Sequence, residues 1–165
     1  MSFYVVLRGP LGVGKTTVAR ALTDRLVADY LSIDRILEQE GLWVAGRLSE
    51  FLRANTFAAA EAEGFLARGT PVVFDGNFYW KTQLEDLAAR LRYPHFVFTL
   101  NAPLRVCIER DRRREHPYGS QATREVYAKS TKFDYGVGLD ATRPVPSLVR
   151  EIASHCSGIQ TPSRA

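Results

Sequence analysis

The sequence predicts a three-layer α/β fold, with a parallel sheet of about five strands and helices on both faces. Three observations carry that prediction. Short apolar runs at 3–7, 30–33, 72–75, 95–100 and 136–140 alternate with stretches of helical spacing along the whole chain. The connections between runs are long enough for a crossover helix, which parallel neighbours require and antiparallel neighbours do not. The second and third runs lead to aspartates, Asp34 and Asp75, and the first to a glycine-rich loop, and the carboxyl ends of strands are where ligands bind in such sheets.

The first run, Phe3, Tyr4, Val5, Val6 and Leu7, reads as a buried strand. It leads into Gly9-Pro10-Leu11-Gly12-Val13-Gly14-Lys15-Thr16, a full match to the phosphate loop G-x-x-x-x-G-K-S/T, and Val18, Leu22 and Leu26 leave it at helical spacing. Glycines let backbone N–H groups close around phosphate oxygens, and the helix turns its positive end toward the anion. The candidate nucleotide-binding residues are Gly9, Gly12, Val13, Gly14, Lys15, Thr16 and Thr17. Lys15 is placed to bridge the outer phosphates, and the Thr16 hydroxyl to bind magnesium. The chain is therefore predicted to bind a nucleoside triphosphate.

Tyr30-Leu31-Ser32-Ile33 reads as the second strand, ending at Asp34 opposite the phosphate loop. A carboxylate there can take the proton of an acceptor hydroxyl as it attacks the terminal phosphate. Aspartate is equally a favoured N-cap for a helix beginning near Arg35, so two roles stay open. Arg35 can hold an anionic acceptor or pair with a carboxylate. A helix over about 50–67, ended by Gly69 and Pro71, completes a segment at about 35–69 that reads as an acceptor-side cap. Its Trp43, Arg47, Phe51, Arg53 and Phe57 mix basic and aromatic character suited to a nucleotide or polynucleotide, although aromatics at helical spacing also build cores.

The third strand, Val72-Val73-Phe74-Asp75, places a carboxylate where it can support magnesium with Thr16; the competing role for Asp75 is as a turn former in Asp75-Gly76-Asn77. Asn77 and Tyr79 follow in the same loop, within reach of an acceptor. Helical spacing through Leu84, Leu87, Ala88 and Leu91 precedes a fourth strand at 95–100. Pro103 then opens a helix with Leu104, Cys107 and Ile108 on one face. Arg110 and Arg114, four apart, are predicted to share a helical face turned roughly 200° from Ile108 at about 100° per residue. Placed before the break at His116-Pro117-Tyr118-Gly119, they suit a lid over about 110–122 that neutralises a migrating phosphoryl group. A solvated basic helix end, or a nucleic-acid phosphate patch including Arg112 and Arg113, explains the same residues. A helix at 123–132, a weak fifth strand at 136–140, a closing helix at 146–155 and a polar, flexible tail at 158–165 finish the chain.

At 165 residues the chain fits one domain, here 1–157, without room for a separate substrate domain. A net charge of +4 with eighteen arginines against four lysines fits a polyanionic partner. No apolar stretch reaches the length of a membrane span and Met1-Ser2 runs straight into a strand, so a cytoplasmic protein without membrane partners is expected. Cys107 and Cys156 have neither metal-ligand spacing nor the numbers of a disulfide framework.

Together the loop at Gly9–Thr16, the aspartate of Leu31-Ser32-Ile33-Asp34-Arg35 and the Arg-x-x-x-Arg element at Arg110 and Arg114 resemble the small P-loop kinases of the nucleoside monophosphate kinase fold. The polynucleotide-kinase-like and the gluconate- and shikimate-kinase-like phosphotransferases are the most similar groups. The resemblance covers positions 3 to about 155. It implies the P-loop NTPase fold, ATP as donor, magnesium, Asp34 as general base, and an adenine-packing loop at Leu139-Asp140-Ala141-Thr142. The acceptor it implies is a hydroxyl of a small molecule, a nucleoside or nucleotide, or a nucleic-acid end.

Departures narrow the group. Asp75-Gly76-Asn77-Phe78-Tyr79 lacks the arginine of the adenylate-kinase Asp-Gly-Phe-Pro-Arg, no Gly-Gly-Gly run marks a shikimate kinase, and the segment between Arg114 and Thr123 is short for a long lid. Thr131-Lys132-Phe133-Asp134 matches a guanine-reading pattern, but a helical stretch precedes it where a strand belongs, and Phe78 stands where Asp-x-x-G needs glycine. An ATP-binding switch module with slow hydrolysis and no acceptor is the alternative function.

Overall fold

Strand and helix alternate through residues 2–43 and 46–158, which the computed structural model describes. The order is β1 (Tyr4–Arg8), α1 (Lys15–Leu26), β2 (Asp29–Ser32), α2 (Ile33–Gln39), α3 (Leu48–Ala67), β3 (Val72–Asp75), α4 (Lys81–Arg90), β4 (His95–Asn101), α5 (Leu104–Arg112), α6 (Ser120–Ser130), β5 (Val137–Asp140) and α7 (Val145–Ser157). The five strands form one sheet in the order β2-β3-β1-β4-β5, every pairing parallel. The predicted fold class is thus the observed one. Residues 159–165, most of the predicted tail, lie outside the described residues, as do 44 and 45 within the predicted cap.

The two-residue period of β1 divides the protein into its layers. Tyr4 and Val6 face a core with Ile33, Phe51, Ala58, Leu66 and Leu87, whereas Phe3, Val5 and Leu7 face one with Val18, Leu22, Cys107, Leu148 and Ile152. The first core lies under α2, α3 and α4, the second under α1, α5 and α7. A strand buried on both faces has no polar side to show, which is why β1 and β3 read as unbroken apolar runs. Ala54, Ala58 and Ala62 recur every four residues in α3 and are fully buried, the spacing of one helix face.

Two local expectations change. The second strand ends at Ser32, and Ile33 already belongs to α2 because the Ser32 hydroxyl accepts from the Arg35 N–H as N-cap. Asp34 is therefore inside the first turn and is not the cap. Helix α5 ends at Arg112, so Arg110 and Arg114 do not share a helical face; Arg114 lies in the bend after it. The Thr131–Asp134 pattern comes after α6 and not after a strand, as its sequence context indicated.

Candidate functional site

The loop between β1 and α1 takes its shape from three glycines with positive φ: Gly9 (147°), Gly12 (79°) and Gly14 (104°). At Gly12 a Cβ would come within 2.3 Å of the Cys107 carbonyl oxygen, and at Gly9 within 2.6 Å of that of Leu100. The loop is thus pressed against α5 and β4, and its backbone faces outward. Gly14 is the N-cap of α1 and supplies no side-chain hydrogen bond, so the first-turn N–H groups await an acceptor from outside the helix. Lys15 Nζ folds back onto the Pro10 carbonyl at 2.9 Å. Burial lowers the Lys15 pKa, and the negative charges of Asp75 and Asp34 oppose that shift.

Asp75 ends β3, which lies beside β1, so the sheet register brings it to the loop. One oxygen, Oδ2, accepts from the Thr16 hydroxyl at 2.7 Å and from the Tyr30 hydroxyl at 2.8 Å. Arg20 lies over the Tyr30 ring at 4.6 Å, and the Tyr30 phenol is pushed up to about 12 by burial and by Asp75, so it remains a donor. Thr16 and Asp75 form a hard oxygen pair that fits magnesium held jointly with phosphate oxygens. Among the described residues no three His, Cys, Asp or Glu side chains gather as a metal cage.

Asp34 lines the same cleft as Lys15, Thr16 and Asp75, a space of about 740 Å³. Its Oδ1 is buried and has no hydrogen-bond partner among the described residues. Burial raises the Asp34 pKa above the ordinary carboxylate range; Lys15 opposes the shift and Asp75 reinforces it. Arg35, exposed, stands at the rim of this cleft, and Asn77 and Tyr79 line it from the β3–α4 loop. Asn77 Nδ2 donates to the Tyr79 hydroxyl at 2.8 Å. Between them Phe78 is fully buried with φ 48°, a strained turn for a non-glycine residue. That turn holds Asn77 and Tyr79 toward the cleft while Phe78 anchors the core.

Arg8 secures the turn. Its side chain is fully buried beneath the site and donates to the carbonyls of Phe78 (3.3 Å), Ser130 (2.9 Å) and Phe133 (3.4 Å) and to Thr99 Oγ1 (3.0 Å). Burial lowers its pKa to about 10, with Asp134 opposing. A charged residue at the end of an apolar run gives no hint in sequence of this burial.

A second, smaller cleft of about 360 Å³ lies on the other side of the loop, lined by Gly12, Gly14, Thr17, Arg110, Ala141 and Leu148 among others. Arg110 spans it, donating to the Val13 carbonyl at 2.7 Å and the Ala141 carbonyl at 2.9 Å. It thereby ties the phosphate loop to the β5–α7 loop. Thr142 stands between the lining residues Ala141 and Arg143, but its amide and hydroxyl both turn to Asp140 Oδ1. Arg114 borders both clefts. Its placement is set by Asp111, a buried carboxylate that accepts from the backbone N–H groups of Tyr118 (3.2 Å) and Gly119 (2.9 Å) and faces Arg114 Nε at 3.7 Å.

The basic run is largely committed within the chain, since Arg113 pairs with Glu109 and Arg114 turns to Asp111. In the predicted cap, Phe51 is core, while Trp43 and Phe57 are exposed. No helix among the described residues is long and apolar enough to cross a membrane.

A family model described as an AAA domain matches residues 5–133, most of the chain, and the chain belongs to that family. A deoxyguanosine kinase of Bacillus subtilis is 24% identical over 163 residues, covering 82% of this chain and 78% of that protein. A gluconokinase from Sinorhizobium meliloti 1021 superimposes with a TM-score of 0.73 at 17% identity, over 94% of this chain and 92% of that one. A sugar kinase from Janibacter sp. HTCC2649 gives a TM-score of 0.78 at 18% identity, over 93% and 94%. The fold is that of the small P-loop kinases.

Proposed function

We propose that this AAA-domain protein is an ATP- and magnesium-dependent kinase that transfers the γ-phosphoryl group to a hydroxyl of a small-molecule acceptor. The observation that carries the reading is the buried Asp34 Oδ1, without a hydrogen-bond partner among the described residues, in one cleft with Lys15 and the Thr16–Asp75 pair. A nucleotide switch explains the phosphate loop and leaves that carboxylate, and the cleft it lines, without a role. A nucleic-acid end as acceptor has less behind it, because Arg110, Arg113 and Arg114 are all held by partners within the chain.

In this reading the backbone from Gly9 to Thr17 binds the phosphates, and Lys15 leaves the Pro10 carbonyl to meet them. Thr16 and Asp75 hold magnesium, which when bound offsets phosphate charge. Arg110, with Thr142 beside it, frames the base side. Arg35 and Asn77 position the acceptor. Asp34 takes the acceptor O–H proton as that oxygen forms its bond to the γ-phosphorus; the bond from γ-phosphorus to the bridging oxygen breaks and ADP leaves. Arg114, at the border of the clefts, offsets charge on the moving group. Closure of the lid segment about 110–122 over the cap about 35–69 excludes water.

The test is ATP consumption with magnesium across neutral and acidic alcohols, with Lys15→Ala and Asp34→Asn. Acceptor-dependent transfer lost in both variants is expected. Transfer retained in Asp34→Asn would remove the base assignment, and ATP turnover indifferent to every acceptor would favour the switch.

A further inference from the structure

The chemistry of the acceptor can be read from the residues lining the larger cleft. Its charged residues are the carboxylates Asp34, Glu38 and Asp75 and the cations Lys15, Arg35 and Arg114. Lys15 belongs to the phosphate loop, and Arg114 faces Asp111 and lies 5.4 Å over the Tyr118 ring. That leaves Arg35, and Glu38 sits one turn along the same helix face. Among the described lining residues Arg35 is thus the one cation left for a carboxylate or phosphate on the acceptor, and such a group would also meet the carboxylates of Glu38 and Asp34.

The cleft offers flat apolar faces instead. Trp43 is 55% exposed and Tyr118 66% exposed, and both line it, one from the α2–α3 segment and one from the α5–α6 loop. Exposed aromatics of this size in a cleft are available to stack on a ligand. Trp43 is backed by Phe51 at 6.2 Å, which in turn contacts Tyr79 and Trp80 at 5.6 and 5.1 Å, so the indole rests on a built aromatic cluster. Tyr79 accepts from Asn77 and has no acceptor for its own proton among the described residues, so the phenol is free to donate.

We infer that the acceptor is an uncharged alcohol with a flat ring face, stacked on Trp43 and hydrogen-bonded by Tyr79, and not a carboxylic or phosphorylated one. This rests on the kinase reading of the same cleft. Nucleosides and aryl glycosides share that chemistry, and separate arms of the experiment distinguish them.

Labelled-phosphate transfer would be measured with a nucleoside set and p-nitrophenyl glucoside on one side, and gluconate, shikimate and nucleoside monophosphates on the other. Transfer to the neutral ring compounds is expected, with Trp43→Ala raising the acceptor KM about tenfold or more, KM for ATP unmoved, and Trp43→Phe restoring it. In a Trp80→Phe background the accepted compound should quench Trp43 fluorescence without ATP, a readout independent of turnover. Preference for the acidic compounds, or an acceptor KM indifferent to Trp43→Ala, would overturn this inference and leave the kinase reading standing. ATP binding with transfer to neither class and no quenching would overturn both.

Discussion

The Thr16 hydroxyl donates to Asp75 at 2.7 Å across 59 positions of sequence, joining the phosphate loop to the end of β3. The bond exists because β3 pairs with β1 in parallel register, Leu7 opposite Asp75, so both strands deliver their last residues to one edge. Tyr30, within β2, joins a third strand to them through the same carboxylate oxygen.

Asp75→Asn keeps an acceptor for both hydroxyls and removes the charge. The magnesium concentration for half-maximal turnover is expected to rise about 10–100-fold, as when metal-supporting groups are neutralised, with little change in melting temperature. Calorimetric titration of magnesium into the ATP complex checks this without relying on activity, and a magnesium affinity equal to wild type would remove Asp75 from the site.

Asp34 carries a pH signature. Because burial raises its pKa, the acidic limb of the kcat/KM profile should lie above the ordinary carboxylate range, and Asp34→Asn should lose about 10²–10⁴-fold in turnover. A folded pKa above the unfolded one means that the protonated form favours folding. Its stabilisation is full below the unfolded pKa and lost as pH rises through the folded pKa. Asp34→Asn should therefore melt higher than wild type at neutral pH, with the gap closing on acidification; a variant that melts lower at neutral pH contradicts this.

Gly12→Ala and Gly69→Ala separate strain from site. Both glycines have positive φ, 79° and 87°, but a Cβ at Gly12 meets the Cys107 carbonyl at 2.3 Å and one at Gly69 meets nothing within 4 Å. Each should lose about 1–3 kcal/mol from backbone strain, measured by denaturant unfolding. Only Gly12→Ala should also lose ATP binding.

The phosphate loop and the sheet were legible because glycine spacing and unbroken apolar runs are local signals. Helix α2 was less so: Ile33 extends an apolar run, and only the Ser32 cap shows where the strand stops. Arg110 and Arg114 fit one helical face by spacing, but the helix ends at Arg112, and Asp111 fixes the path of the chain from there to Gly119. Asp111 was invisible inside a run of charges, and Arg8 at the end of a strand, because their roles depend on carbonyls and amides distant in sequence or in other elements. Tyr30 reads as strand filler, and only its hydroxyl, reaching Asp75 from a position paired with Val73, gives it a role.

Asp111→Ala should loosen the segment between α5 and α6. Two backbone N–H groups lose their acceptor, at a cost of about 1–3 kcal/mol each where they stay buried. With Arg114 and Tyr118 less well held, ADP formed without acceptor should rise relative to acceptor phosphorylated, and limited proteolysis should cut at 113–119. An unchanged ratio with intact protein would show that the segment does not govern water access.

Whether the chain is a kinase that uses Asp34 as its base is decided by phosphate transfer from γ-labelled ATP to a neutral alcohol, with purified protein and magnesium, alongside Lys15→Ala and Asp34→Asn. Labelled acceptor formed by wild type and by neither variant is the expected result. ATP bound and slowly hydrolysed at one rate, whatever acceptor is added and whether or not Asp34 is present, would contradict it.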